Sequence, residues 1–268
     1  MNELTHDRLT RDVTLWQRKK GHRFSSDDTV TAWVATQTAP TARRIADLGC
    51  GIGSVLLHLA WSLPHATLVG IEAQQMSFDL VQRNIVDNGL GARVQAFHGD
   101  LRDAAAIAQL GKQFDLVTGT PPYFPPSTAL HAMDEQRAYA RIEYRGGVEA
   151  YIATGAGLLA PQASLVLCGD ADAEPRVHAA AALQRLQIAA RTVVLPRAGE
   201  PPLFSVWVLR HAASNTAADS TTHTSVSDDM QPTGAATMNT TTLCLRDAAG
   251  ERTDDAKRLR EFSGFGYG

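Results

Sequence analysis

The sequence has few cysteines and no metal-binding arrangement of them. Cys50, Cys168 and Cys244 are the only three in 268 residues, and no two stand at the short spacing of a zinc-binding pair. Three scattered cysteines do not form a disulfide framework, so they favour a reducing, intracellular setting. His58 and His178 lie on helical patterns without companion ligands. The sequence therefore predicts no bound metal.

Long apolar runs and an excess of positive charge are also missing. No stretch reaches the roughly 18 apolar residues of a membrane span, and the N-terminus, MNELTHDRLTRDVTLWQRKK, has no apolar core of signal-peptide length. The formal net charge is -3 and the sequence pI is about 6.3, which gives no general attraction to nucleic acid or to anionic membranes. We expect a cytoplasmic protein without membrane contact, whose binding of any nucleic acid depends on a local basic patch.

Apolar strand-like runs are plentiful. Hydrophobic residues make up 44% of the chain, enough for a substantial core. Between residues 43 and 210, short apolar runs such as ATLVGIE and ASLVLCG alternate with longer segments that have apolar residues at three- and four-residue spacings. Several runs are apolar on both faces, as in strands covered by helices on both sides. The alternation predicts a doubly wound α/β fold with a seven-stranded, mostly parallel sheet and helices on both faces.

Composition divides the chain into four parts. Residues 1–40 form an N-terminal segment, and residues 41–210 carry the α/β pattern. Residues 211–240 are rich in Ser, Thr, Ala and Asp and poor in large apolar side chains, which predicts a flexible polar insertion, with a long structured loop as the alternative. Residues 241–268 predict a strand and a short helix that complete the domain.

The segment IADLGCGIGSVLLHLA carries the strongest local signal. A strand ends at Asp47, then Gly49, Gly51 and Gly53 follow, and a helix begins near Ser54. Glycines at these positions permit a tight turn and a close approach of the backbone to a ligand. Their G-x-G-x-G spacing differs from the dinucleotide fingerprint, and no Gly-Lys-Ser/Thr closes a phosphate loop. The segment therefore predicts a cofactor-binding turn of another kind.

Two acidic residues follow the next two predicted strands. Glu72 ends TLVGIE, about 20 residues after the glycine loop, where an acid can accept hydrogen bonds from both ribose hydroxyls. Asp100 follows VQAFHG and suits the exocyclic amine of adenine. Together with the glycine loop, the two acids would surround an adenosine at the switch point of the sheet. The alternatives are a solvated strand end for Glu72 and a helix N-cap for Asp100.

These residues resemble those of the class I S-adenosylmethionine-dependent methyltransferases, which have a Rossmann-like fold. In that superfamily the Asp-x-Gly-x-Gly loop holds the methionine part of the cofactor. The resemblance implies that Glu72 binds the ribose and that Asp100 contacts the adenine. It implies S-adenosyl-L-methionine as the cofactor. The residues that it predicts to bind this cofactor are Arg23, Asp47, Gly49, Cys50, Gly51, Gly53, Glu72, Ala73, Asp100, Leu101 and Thr120.

A narrower resemblance is carried by QRKKGHRFSSDDTVTAW, residues 17–33. It is similar to the N-terminal Gly-aromatic-Arg-Phe-Ser-x-Asp stretch of the bacterial tRNA1(Val) adenine-37 N6-methyltransferases, with His22 where an aromatic is usual. That family also has a Pro-Pro-Tyr-Phe loop after its fourth strand, an arginine-containing helix and a late strand with a short helix. The residues that match its N-terminal stretch are Gly21, Arg23, Phe24, Ser25 and Asp27.

The loop FDLVTGTPPYFPP departs from that family at one position. The family has an asparagine before the two prolines, whose side-chain carbonyl accepts a hydrogen bond from the target amine; here Thr120 stands in its place. A threonine hydroxyl accepts a hydrogen bond but reaches less far and is also a donor. Two prolines leave bare carbonyl acceptors, and an aromatic side chain can stack on a planar acceptor. The resemblance predicts four catalytic residues, Thr120, Pro121, Pro122 and Tyr123, with Phe124 binding the substrate.

Basic residues cluster in two places despite the negative total. The first run contains Arg18, Lys19, Lys20, His22 and Arg23. The second set recurs every four residues, which predicts one helix face that binds the phosphates of a substrate; its members are Arg137, Arg141 and Arg145. The alternative is a solvated helix face paired with Glu135 and Glu143.

The sequence predicts a methyltransferase that acts on a nitrogen of a planar acceptor, such as adenine N6 in tRNA or other RNA. Two alternatives stay open. The acceptor is a nitrogen or oxygen of a small molecule or a protein side chain, or the chain binds the cofactor as a scaffold without activity. We expect residues 1–40 to pack over the cofactor site; a hydroxyl acceptor would need a base, for which Asp27, Asp28 and His22 of this segment are then candidates. The oligomeric state does not follow from the sequence.

Overall fold

The structure, a computed structural model, describes residues 3–128, 134–212 and 238–266, so that most of the predicted 211–240 insertion lies outside the described residues. The strands are β1 Leu4–Arg8, β2 Thr14–Arg18, β3 Arg44–Leu48, β4 Thr67–Glu72, β5 Val94–His98, β6 Phe114–Gly119, β7 Leu159–Gly169, β8 Leu186–Leu195, β9 Phe204–His211 and β10 Asn239–Cys244. The helices are α1 Ser26–Thr38, α2 Ser54–Ser62, α3 Gln75–Asp87, α4 Ala104–Ala108, α5 Glu135–Arg141, α6 Val148–Leu158, α7 Glu174–Leu183 and α8 Asp254–Phe262.

The predicted doubly wound α/β fold is confirmed. The central sheet has the order β10-β8-β9-β7-β6-β3-β4-β5, and β9 pairs antiparallel with both of its neighbours whereas the other pairs are parallel. The described part of this sheet has eight strands rather than seven, because the predicted C-terminal strand, β10, joins its edge. The strand order reverses between β3 and β6, which is where ligands of such sheets bind.

The sheet separates two hydrophobic layers. Successive side chains of a strand point to opposite faces, and β3 shows this alternation: Ile45 belongs to one buried cluster and Ala46 to the other. The first cluster includes apolar residues of α1, α2, α3 and α8. The second includes those of α4, α6 and α7. Covering both faces explains why the parallel strands read as continuous apolar runs.

A two-stranded hairpin, β1–β2, precedes the sheet and is bound to α3 through amide side chains. Asn84 accepts from the backbone N–H of Trp16 at 2.7 Å and donates to its carbonyl at 3.1 Å. Asn88 accepts from the backbone N–H of Thr14 at 3.0 Å and donates to its carbonyl at 2.7 Å. The hairpin thereby fixes where residues 19–25 leave β2 and lead into α1.

No helix among the described residues is long and apolar enough to cross a bilayer, and the longest, α1 and α3, have 13 residues each. No three His, Cys, Asp or Glu side chains in these ranges are grouped so that they could hold a metal ion.

Candidate active site

A cavity of about 650 Å³ lies at the carboxyl ends of β3, β4, β5 and β6. Its wall comprises the glycine loop, the two strand-end acids, the diproline loop, residues 19–28 and the arginine-bearing segment around α5. Of the residues predicted to bind cofactor or substrate or to act in catalysis, all line this cavity except Asp47 and Gly53. The structure therefore brings together residues that are more than 100 positions apart in the chain.

The glycine loop is open at one position only. Gly49, Gly51 and Gly53 have φ angles of +59°, +56° and +92°, which side chains rarely adopt. A Cβ at Gly49 would lie 2.1 Å from the Tyr151 hydroxyl, and one at Gly53 would lie 2.7 Å from Val81 Cγ2. A Cβ at Gly51 would have no heavy atom within 4 Å. Gly51 is thus the point where a ligand can approach the backbone of the loop.

Glu72 turns its carboxylate into hydrogen bonds with the backbone rather than into solvent. Oε2 accepts from the N–H of Gly51 at 2.9 Å, and Oε1 accepts from the N–H of Gln74 at 2.7 Å. Burial raises the pKa of Glu72, while these two hydrogen bonds act in the opposite direction. The alternative of a solvated strand end is therefore wrong. Each oxygen keeps a lone pair for a ribose hydroxyl.

Asp100 has a partner that the sequence did not predict. Its Oδ1 accepts from the backbone N–H and the Nε of Arg102 at 2.9 and 3.0 Å, and its Oδ2 accepts from the guanidinium at 2.7 Å. The hydrogen bonds from Arg102 lower the pKa of Asp100. The helix N-cap is instead Asp103, which accepts from Ala105 N at 2.8 Å, so the alternative role of Asp100 as that cap is wrong. An adenine amine at Asp100 would share the carboxylate with Arg102.

Asp47 lies at the end of β3, two residues before the glycine turn, and is 2% exposed. Its Oδ1 accepts from the Thr118 hydroxyl at 2.7 Å, whereas Oδ2 has no hydrogen-bond partner within the described ranges. Burial raises the pKa of Asp47 to about 7. Asp47 therefore lies behind the glycine turn, buried and with one unpaired oxygen, rather than in the cavity wall itself.

The diproline loop is fixed at its end rather than at its beginning. Thr120 directly follows β6, and its hydroxyl makes no hydrogen bond in the part of the chain that the structure describes. Phe124 forms a bridge with Ile142: its N–H donates to Arg141 O and its carbonyl accepts from Glu143 N, both at 2.9 Å. The ring of Phe124 is 46% exposed at the cavity. An exposed, anchored aromatic is suited to stacking on a planar ligand.

Tyr123 connects the diproline loop to the N-terminal segment. Its hydroxyl donates to Asp27 Oδ2 at 3.1 Å, and Cys168 Sγ lies 2.8 Å from the hydroxyl oxygen of Tyr123. The ring packs against the first hydrophobic cluster, and burial raises the pKa of the phenol well above its usual value. The hydroxyl therefore stays protonated and remains a donor. Asp27 belongs to the first turn of α1, so this bond joins the two elements.

Residues 18–28 cross the cavity and are held at several points. The Arg18 guanidinium binds both oxygens of Asp134, at 2.6 and 2.7 Å. Gln136 accepts from the backbone N–H of His22 at 3.3 Å. Arg23 donates to Thr5 at 2.8 Å. Arg18 is buried by its pairing, so it does not belong to the exposed basic patch that the sequence predicted.

The predicted arginine helix face is wrong in part. Helix α5 ends at Arg141, and Ile142 is its C-cap in an extended conformation, so Arg145 lies beyond the helix. Arg145 instead stacks over the Tyr139 ring at 4.5 Å. The alternative pairing is also wrong for Glu143, which binds Arg176 at 2.8 Å. All three arginines of the set nevertheless line the cavity.

Several cavity residues were not among the site residues predicted from the sequence, and three of them carry polar side chains beside predicted ones. Tyr151 of α6 places its hydroxyl beside Gly49, Ser54 begins α2, and Asp170 follows β7. A single aromatic on a helical pattern predicts a core residue, and Tyr151 is indeed only 7% exposed. Of Tyr151, Ser54 and Asp170, only Asp170 had a usable sequence signal. It is an acid at the end of a predicted strand, as Glu72 and Asp100 are.

The cavity wall fits S-adenosylmethionine. An open glycine turn and the carboxylates of Glu72 and Asp100 stand at the carboxyl ends of β3, β4 and β5 in that order, where the cofactor offers a methionine part, a ribose diol and an adenine amine. Parallel strands place such groups side by side along one sheet edge. Burial raises the pKa of Glu72, which lies in the cavity wall, where the positive charge of this compound would offset that burial; Asp47 lies behind the glycine turn and does not line the cavity.

Comparison with known proteins gives consistent matches. The family model "Methyltransferase small domain" matches residues 24–138. A tRNA1(Val) (adenine(37)-N6)-methyltransferase of Porphyromonas gingivalis is 32% identical over 180 residues, 66% of this chain and 70% of that protein. A release factor glutamine methyltransferase of Geobacter sulfurreducens is 38% identical over 114 residues, 42% of this chain and 38% of that protein. A crystal structure of a predicted O-methyltransferase from Agrobacterium tumefaciens, at 20% identity and a TM-score of 0.61, covers 91% of this chain and 98% of that one and shares the fold.

Proposed function

The chain belongs to the tRNA1(Val) (adenine(37)-N6)-methyltransferase family, and on this premise we propose that it methylates a ring-bound amine, specifically the N6 of an adenine in tRNA. That it is an S-adenosylmethionine-dependent methyltransferase follows from the family. The proposal concerns the group that accepts the methyl. A tRNA substrate would place the reaction in the cytoplasm.

One observation carries the proposal: the basic residues of both sequence clusters, apart from Arg18, surround the same cavity as the diproline loop. Lys20, Arg137 and Arg141 form no ion pair with any residue that the structure describes, and all three are exposed. Free cations around a pocket with an exposed aromatic suit a nucleotide whose phosphates lie on the rim. The seven basic residues of the rim are Lys19, Lys20, His22, Arg23, Arg137, Arg141 and Arg145.

The cofactor supplies an electrophilic methyl group on a positively charged sulfur. The chain positions the cofactor: Gly51 permits its close approach to the backbone, Glu72 holds its ribose and Asp100 holds its adenine. Bringing the reacting atoms into line removes most of the entropic part of the barrier to such a displacement. No metal and no covalent intermediate on the protein are needed for this step.

The diproline loop orients the acceptor. Pro121 and Pro122 have no N–H, so their segment offers the cavity carbonyl acceptors without competing donors. An adenine amine that donates to these carbonyls turns its lone pair toward the methyl group. Phe124 supplies a stacking face that contributes roughly 1–3 kcal/mol per base. Thr120 adds one hydroxyl in place of the amide that the family has there.

A protein acceptor is the second candidate. The similarity to a release factor glutamine methyltransferase favours it, and Thr120 in place of asparagine is compatible with an acceptor other than adenine. That similarity spans 42% of this chain, however, and it does not account for the basic rim of the cavity. The RNA proposal accounts for both the rim and the exposed aromatic.

Radiolabelled S-adenosylmethionine tests the proposal directly. We expect the purified chain to transfer label to total bacterial RNA, with the label released by ribonuclease and found in N6-methyladenosine after digestion. Label released by protease, or found in a small product, would contradict the RNA proposal and support the second candidate. Cofactor binding without transfer to any fraction would show a scaffold without activity.

A further inference from the structure

The loop that should hold the target amine has a shorter and weaker acceptor at position 120 than its family pattern. An exocyclic amine has two N–H donors, and both need acceptors when the amine is buried. The carbonyls of the proline segment can take one. The second acceptor in the family is the asparagine amide, and the hydroxyl of Thr120 is shorter and carries a proton of its own. A carboxylate in another part of the cavity wall would be a stronger acceptor for the second N–H than this hydroxyl.

Asp27 is the acidic side chain that reaches this loop. It lines the cavity, and its Oδ2 accepts from the hydroxyl of Tyr123, three residues after Thr120, at 3.1 Å. Its Oδ1 accepts from Ser25 Oγ and from the backbone N–H of Asp28. These bonds fix the carboxylate at the start of α1 and leave Oδ2 with a lone pair.

The two other candidate bases are less suited to this place. Asp28 is 5% exposed and accepts from the backbone N–H of Ser25 at 2.9 Å. Burial, with the neighbouring Asp27, raises the pKa of Asp28 well above its usual value, and the side chain is directed to the backbone of the N-terminal segment rather than to the diproline loop. His22 makes no hydrogen bond to the diproline loop within the described residues; it is bound instead through its backbone to Gln136.

We propose that Asp27 is a catalytic residue that accepts an N–H of the target amine through Oδ2 and replaces the missing amide at position 120. In the reaction the amine nitrogen forms a bond to the methyl carbon, the carbon–sulfur bond breaks, and its electron pair stays on sulfur. The methylated nitrogen then loses one proton to Asp27, which passes it to solvent. This assignment rests on the proposed function, because it concerns an amine on RNA.

Binding without cofactor is the first test. The probes are tRNA1(Val) anticodon stem-loops with adenosine or, lacking the amine, purine riboside at position 37. A hydrogen bond to a charged acceptor changes affinity by about tenfold or more, so we expect the wild-type chain to prefer adenosine by that factor. Asp27→Ala should lose the preference and bind both probes alike. S-adenosylhomocysteine binding, measured by calorimetry, should stay unchanged and shows that the variant is folded.

Matched variants distinguish contact with the amine from indirect support through Tyr123. Tyr123→Phe removes the phenol hydroxyl but keeps the carboxylate, so the preference for adenosine should remain. Asp27→Asn keeps an acceptor oxygen but cannot take a proton; the preference should persist while kcat falls more than KM changes. Adding Thr120→Asn to Asp27→Ala restores an amide acceptor and should recover part of the preference.

The outcomes separate this inference from the proposed function. If the wild-type chain methylates RNA but Asp27→Ala keeps the tenfold preference, Asp27 does not touch the amine. The inference about Asp27 is then wrong, while the proposed function stands. If Tyr123→Phe abolishes the preference as fully as Asp27→Ala and Thr120→Asn restores nothing, Asp27 acts only through Tyr123, which also overturns it. If the wild-type chain methylates no RNA, the proposed function fails and the inference with it.

Discussion

At the scale of single residues, Gly51 shows how an absent side chain makes a site. Gly51 and Gly89 share a positive φ, +56° and +65°, and in both cases a Cβ would have no heavy atom within 4 Å. They differ in place, because Gly51 lies in the cavity wall beside Glu72 and Gly89 follows α3. The same substitution at the two positions therefore separates backbone strain from contact with the cofactor.

We expect Gly51→Ala and Gly89→Ala to lower the free energy of unfolding by similar amounts, roughly 1–2 kcal/mol, because both force alanine into the left-handed region. Only Gly51→Ala should weaken S-adenosylhomocysteine binding, by tenfold or more, since its methyl group would enter the cavity. Urea unfolding and calorimetry measure the two quantities. Equal affinities in both variants would show that the cofactor does not approach Gly51.

At the scale of elements, strands with a clear apolar pattern could be predicted from the sequence. Elements that are ordered by contacts with distant parts of the chain could not. The strands β3 to β9 were predictable because burial on both faces gives apolar runs between turn residues. The hairpin β1–β2 was not predicted: LTHDR and TLWQR are short and mostly polar, and they are ordered by amide contacts with α3, distant in the chain.

The same limit applies within the candidate site. Glu72 and Asp100 were identifiable because each follows a strand, whereas the Arg102 partner of Asp100 depends on the turn that follows. The four-residue spacing of the arginines predicted a longer helix than α5, which stops at Arg141 where Ile142 turns extended to pair with Phe124. A tertiary contact thus overrode a local periodicity.

Helix α5 supports a prediction about RNA. Arg141 is exposed on the cavity rim, and Arg43, just before the amino end of β3, is also exposed but lies outside the cavity. Arg141→Ala should weaken tRNA binding and reduce the slope of log affinity against log salt by about 1, because one phosphate contact is lost. Arg43→Ala should change neither quantity. Filter binding at several salt concentrations measures both, and identical slopes for the two variants would remove Arg141 from the RNA contact.

At the scale of the whole molecule, one buried acid links stability to pH. The pKa of Asp47 is raised from 3.8 to about 7 by burial. Below about pH 4 the carboxyl is protonated in both states; between pH 4 and 7 the unfolded chain releases this proton and the folded chain retains it. The stability that Asp47 contributes at low pH is therefore lost as the pH rises through 7.

Asp47→Asn removes this titration and keeps an oxygen for Thr118. We expect the free energy of unfolding of the cofactor-free wild type to fall relative to the variant between pH 5 and 7.5, by a few kcal/mol at most, and to run parallel above that. Urea unfolding across this range measures the difference. Parallel curves throughout would mean that Asp47 ionises in the folded chain as readily as in the unfolded one.

The bridge between Phe124 and Ile142 closes the chain on itself, since the two hydrogen bonds of Phe124 bring the start and the end of the 125–141 stretch together. Helix α5 lies within that stretch and is tied to other parts of the cavity wall, since Asp134 binds Arg18 and Gln136 binds Ser77. Any substitution that shifts α5 should therefore also move the exposed ring of Phe124, so the stacking face and the N-terminal segment are mechanically coupled.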